Sequence, residues 1–204
     1  YAYGENKSTS FCHLIASGKV DFANGISLEC ETQYPHEMNV VYKVSGNGKL
    51  AIHIPGWSKK YTVIVDGKIV VPSLENGYIY IDINGSSNIE LKLDDAPHFV
   101  YASNRIPRAS GMVSLRREPL VYCFEGVDNG SVRSLQIDRD SAPEISSFSE
   151  ELQANNIVVK AVRESDREDL YSDVPPEVTA CEAVAVPYYT WGNRGETEMR
   201  VWMK

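Results

Sequence analysis

No two of the chain's four cysteines stand close together, and that absence removes several chemistries at once. Cys12, Cys30, Cys123 and Cys181 form no Cys-x-x-Cys pair. A zinc knuckle, a thioredoxin-type redox pair and a disulfide framework are therefore not indicated. Each cysteine sits among apolar or β-branched neighbours, so buried free thiols in a reducing, cytoplasmic compartment are expected. Histidine is equally sparse. His13, His36, His53 and His98 are isolated, and no His-Glu-x-x-His run occurs. There is no run of 18 apolar residues, so no membrane-spanning helix is predicted. Basic residues are outnumbered 20 to 28, for a net charge of −8 over 204 residues. A basic footprint for nucleic acid or an anionic membrane is missing, so neither is an expected partner. No segment of 12 residues carries a helical apolar stripe. The chain opens at Tyr1 rather than a methionine, and a processed protein or a piece of a longer one is expected.

What is present is alternation. Residues 38–44 (MNVVYKV), 50–54 (LAIHI), 61–65 (YTVIV), 78–83 (YIYIDI) and 88–93 (NIELKL) are short alternating runs bounded by turns. Such alternation has the period of a half-buried strand. Asp66-Gly67 lies between two such runs and predicts a tight hairpin, because both turn positions need positive φ. Asn24-Gly25 predicts another turn, Asn84-Gly85 ends a strand, and Gly46-Asn47-Gly48 reads as a hairpin turn. Short strands separated by such turns indicate an all-β fold of two consecutive antiparallel β-sandwich-like modules. The texture changes across residues 103–111, where Asn104, Pro107, Ser110 and Gly111 interrupt the pattern. The expected modules are residues 1–103 and 104–204. In the second, residues 126–130 read as a turn, 149–155 as one or two helical turns, and 163–176 as an acidic loop.

A catalytic constellation is hard to assemble from these residues. Gly-x-Ser-x-Gly is absent. Cys123 and Glu125 share a strand face within LVYCFEG, but no histidine accompanies them, so a buried strand cysteine is the expected reading. The remaining candidates are aromatic. Trp57 follows Ile-Pro-Gly. Tyr188, Tyr189 and Trp191 lie beside Asn193 and Arg194 in VPYYTWGNR, much aromatic and polar surface for a loop. These six side chains are candidates for contact with a sugar or with another domain.

Three segments carry a family resemblance: residues 50–60 (LAIHIPGWSKK), 118–130 (EPLVYCFEGVDNG) and 185–202 (AVPYYTWGNRGETEMRVW), supported by 31–35 (ETQYP) and 107–111 (PRASG). Their order and spacing resemble the C-terminal region of glycoside hydrolase family 127, whose characterised members include β-L-arabinofuranosidases. The resemblance implies that a catalytic (α/α)6 barrel belongs to the parent chain and that these β-modules follow it. It also implies a zinc site in that barrel, built from one glutamate and three cysteines, one of them the nucleophile. The ligands would come from a Glu-x-Cys motif and a Cys-Cys pair. Neither motif is in this sequence, since Cys30 directly follows Glu29. No catalytic residue, metal ligand or cofactor is therefore assigned to this chain. The implied role is non-catalytic: buttressing the barrel or mediating a homodimer, with a carbohydrate-binding module as the alternative.

Overall fold

The computed structural model describes residues 1–204, the side chain of Ser147 excepted. The chain divides into two compact units, Tyr1–Asp95 and Ala96–Lys204. The first holds β1 (Tyr3–Glu5), β2 (Thr9–Cys12), β3 (Gly18–Asp21), β4 (Ser27–Thr32), β5 (Asn39–His53), β6 (Tyr61–Val65), β7 (Lys68–Val70), β8 (Leu74–Glu75) and β9 (Tyr78–Leu93). The second holds β10 (His98–Tyr101), β11 (Val113–Arg117), β12 (Leu120–Glu125), the single turn α1 (Gly126–Asn129), β13 (Leu135–Ile137), β14 (Glu144–Ser149), β15 (Ala154–Glu164), β16 (Val178–Pro187) and β17 (Met199–Arg200). The all-β, sandwich-like architecture is as the alternation predicts. The break falls earlier than the change of texture at residue 103, because β10 pairs with β11 (Phe99 opposite Leu115) and so belongs to the second unit.

The first unit is organised by β5 and β9, which pair antiparallel without interruption from Asn39 opposite Lys92 to His53 opposite Tyr78. Here the sequence expectation is overturned. Gly46-Asn47-Gly48 is a corner inside one long strand and not a hairpin turn, and Asn84-Gly85 does not end a strand. Gly46 pairs with Gly85 at that corner. Val40, Tyr42 and Val44 before the bend and Leu50, Ile52 and Ile54 after it enter one core cluster. The long pair thus folds back on itself, and each half contributes a layer. Full burial of side chains such as Leu50, Ile79 and Leu91 stabilises by roughly 1.5–3 kcal/mol each. The Asp66-Gly67 hairpin forms as expected, with φ of 48° and 77°. A second, at Asn76-Gly77, joins β8 to β9. One pairing is parallel, between β2 and the far half of β5.

In the second unit the order is β10-β11-β12-β16-β15-β13, with β14 on β15 and β17 on β12. β12 is buried on both faces. Tyr122 and Phe124 join a core with the small Ala183 and Ala185 of β16, while Cys123 packs on the opposite side with Leu152, Ala154 and Val186. This explains why LVYCF is a continuous apolar run rather than an alternating one. The helical turns expected over 149–155 do not form: residues 150–153 are a turn between β14 and β15, because the two strands pair directly across it (Ser149 opposite Ala154).

Candidate functional site

β16 ends at Pro187, where the chain turns over a short 3-10 segment, Tyr188–Thr190. Thr190 is buried, and its hydroxyl donates to the Pro187 carbonyl at 2.7 Å, which closes the turn. The backbone then steps through three more turn bonds, Trp191 to Tyr188, Asn193 to Thr190 and Gly195 to Gly192. These bonds throw the aromatic side chains outward. Tyr188, Tyr189 and Trp191 are 46%, 53% and 46% exposed. The rings of Tyr188 and Trp191 stack, with centroids 6.1 Å apart and planes at 23°.

The loop is anchored by a buried carboxylate that sequence reasoning did not single out as functional. Glu125, at the end of β12, is fully buried. Its Oε1 accepts from the backbone N–H of Gly192 at 3.0 Å. Its Oε2 accepts from Arg194 Nη2 at 2.6 Å. The same guanidinium donates through Nη1 to Asp128 Oδ1 at 2.7 Å. Hydrogen bonds with Asp128 and then Glu125 hold Arg194 charged, well above the ordinary range for arginine and against the opposing effect of burial. Asn129 completes the anchor. Its amide donates to the carbonyls of Glu125 and Val184 and accepts from Val184 N–H, each at 2.8 Å, tying α1 to β16. The signal for this cluster was in the sequence: a carboxylate ending an apolar run, followed by Gly-Val-Asp-Asn-Gly. A buried charge demands a partner, but its identity, 69 residues downstream, was not legible.

Of the six candidate residues, four lie on this exposed surface: Tyr188, Tyr189, Trp191 and Asn193. Arg194 does not point its charge outward, since its guanidinium is engaged by Glu125 and Asp128. Trp57 belongs to the first unit, where it is half-buried against that unit's own core.

Both carboxylates are bonded to one guanidinium. Burial, followed by the charge of Glu125, pushes the Cys123 thiol up to about 12. Burial does the same to Cys12, up to about 12, and takes Cys30 to about 11. A thiol near 12 is ionised at pH 8 in only about one molecule in ten thousand, and the thiolate is the reactive form. Iodoacetamide at pH 8 is therefore expected to spare Cys12, Cys30 and Cys123 in the native chain, with Cys181, which is only partly buried, as the one labelled position. Rapid labelling of Cys123, read by peptide mass mapping, would contradict this burial. Among the described residues, no three histidine, cysteine or carboxylate side chains are grouped to hold a metal. Nor is any helix among them long and apolar enough to cross a membrane.

Comparison with known proteins agrees with both units. The family model described as the Beta-L-arabinofuranosidase, GH127 middle domain, matches residues 9–94. The one described as the glycoside hydrolase family 127 C-terminal domain matches residues 97–204. A non-reducing end β-L-arabinofuranosidase from Bifidobacterium longum subsp. longum is 34% identical over 227 aligned positions, covering all of this chain and 34% of that protein. The crystal structure of a family 127 β-L-arabinofuranosidase from Geobacillus stearothermophilus T6 superposes with a TM-score of 0.90 at 29% identity, over the whole chain and 35% of its own. A further solved glycoside hydrolase gives 0.83 at 26% identity, over 99% of this chain and 36% of its own. The chain spans about a third of the length of these relatives. With two family models covering its two units in order, the chain belongs to glycoside hydrolase family 127, of which it comprises the middle and C-terminal domains.

Proposed function

We propose that this chain is the non-catalytic accessory part of a larger glycoside hydrolase of the β-L-arabinofuranosidase type, and that its 188–194 loop seats on the catalytic (α/α)6 barrel of the same parent. The observation that carries this reading is the exposed aromatic platform held rigid from beneath by the Glu125–Arg194–Asp128 anchor. Side chains that large, left half in water on a stiff loop, are typical of surfaces that another body covers. Covering the exposed half of each ring stabilises by roughly 2 kcal/mol. On this reading the zinc and the nucleophilic cysteine reside in the barrel.

The test is a full-length parent carrying Tyr188→Ala and Trp191→Ala. A melting temperature lower by several degrees is expected, with no such drop when the same changes are made in the 204-residue chain. Identical melting of parent and variant would sink the idea. If the variants instead turn a dimeric parent into a monomer, the platform serves a second copy and not the barrel. The near-parallel Tyr188 and Trp191 rings also favour a second reading, a sugar platform. Affinity electrophoresis in arabinan decides that one, because unchanged mobility of the 204-residue chain rules it out.

A further inference from the structure

The two outer faces of the first unit differ in kind. The layer made by β3, β4, the first half of β5 and the second half of β9 presents a polar face, with an open cleft of about 610 Å³ lined by Lys19, Glu29, Lys43, Ser45 and Asn88 among others. Ion pairs cross it, such as Lys19 with Glu29 at 2.9 Å. That is what water selects for the exposed side of an antiparallel sheet. The opposite layer, made by β2, the far half of β5 and the near end of β9, does not follow the rule. Its outward positions hold Phe11, His13, His53, Tyr78 and Tyr80, all half-buried.

Four of these rings, Phe11, His13, His53 and Tyr78, form one assembly, and Tyr80 follows Tyr78 by two positions on the same face of β9. Phe11 and His13 stack at 5.8 Å with planes at 14°. Tyr78 stands edge-on to both, with centroids 5.8 Å away, and His53 lies 5.2 Å from it. His13 Nδ1 and the Tyr78 hydroxyl share a hydrogen bond of 2.7 Å. Ala51 sits opposite Tyr80 in the register and has no exposed surface at all. The nearest formal charges on these strands, Lys49 and Asp82, pair with each other at 3.7 Å.

We propose that this face is a binding surface for a neutral saccharide. A sugar ring offers an apolar C–H face and a rim of hydroxyl groups. It is matched by aromatic faces that carry hydrogen-bonding tips, and phenol and imidazole are such groups. The five side chains include no carboxylate, ammonium or guanidinium, and the charges that flank them are the Lys49–Asp82 pair and Glu75, which lies opposite Tyr78; no cluster of cations stands ready for an acidic or phosphorylated sugar, which favours a neutral one. The site is separate from the 188–194 loop, in another unit and on other strands.

The experiment is affinity electrophoresis of the 204-residue chain in gels containing arabinan, arabinogalactan or dextran. Retardation in at least one arabinose-containing gel is expected. Tyr80→Ala and Phe11→Ala should each weaken it by tenfold or more, Tyr80→Phe should retain most of it, and Trp191→Ala should leave it intact. Melting curves of the two alanine variants confirm that they are folded, and either one suffices. Unchanged mobility of the wild-type chain in all three gels overturns the proposal. So does retardation that survives both alanine changes, or that disappears with Trp191→Ala alone.

Discussion

Replacing Arg194 by methionine is expected to destabilise the second unit by about 3–5 kcal/mol, the usual cost of leaving a buried charge without its partner. Glu125 has no exposed surface, so water cannot take over from the guanidinium. The loss is not confined to one ion pair. Glu125 also accepts from Gly192 N–H, so the turn that presents Tyr188 and Trp191 loses its footing at the same moment. For a unit of this size each kcal/mol shifts the melting temperature by about 4 °C. A fall on the order of 15 °C is therefore expected in a calorimetric scan of the 204-residue chain. The double variant Glu125→Gln, Arg194→Met should recover much of that loss, because glutamine keeps an acceptor for Gly192 and removes the stranded charge. A single variant that melts like the wild type would mean that the anchor contributes nothing. A double variant no better than the single would mean that lost packing of the arginine stem, and not charge, is the cause.

The second large effect is expected at the corner of the first unit. A Cβ on Gly46 would lie 2.4 Å from the carbonyl oxygen of Gly25 and 3.0 Å from the Cα of Ile26, both backbone atoms that cannot swing aside. The residue also holds φ at +124°, a region that side-chain-bearing residues rarely adopt. Gly46→Ala is expected to cost about 3 kcal/mol or more, a large share of the stability of an ordinary domain. Its pairing partner is the control. Gly85 has φ of +86°, but a methyl group there would meet nothing within 4 Å, so Gly85→Ala carries only the conformational term of about 1–2 kcal/mol. Urea melts of the two variants side by side separate the contributions. Equal midpoints would show that the close approach to the turn before β4 is relaxed at no cost.

The saccharide binding proposed for the first unit and the barrel docking proposed for the second would make different demands on local structure. The stacked assembly around Tyr78 lies on strands that pair directly with one another, His53 opposite Tyr78 and Phe11 opposite Ala51. Its geometry follows from sheet register and needs no separate anchor. The 188–194 loop leaves its sheet, and its geometry depends on a charge buried in another strand.

The sequence by itself determined most of the strands, their inward faces and the hairpin at Asp66-Gly67, because a period of two and the φ requirement of a tight turn are local properties. The PYYTWGNR segment stood out by its aromatic content alone. Tertiary structure decided the rest. Glycines at positions 46, 48 and 85 look the same in a hairpin turn and in a strand corner. Only the partner strand, which runs on past the bend, distinguishes the two. The assignment of residues 98–101 to the second unit depended on pairing with β11, which no local pattern encodes. Arg194 is a candidate contact residue in the sequence, and only the fold brings it onto Glu125 and Asp128. The aromatic outer face escaped notice for a related reason. Phe11, His53 and Tyr78 each looked like an ordinary alternating position in its own strand, and only the side-by-side register of β2, β5 and β9 gathers them into one surface.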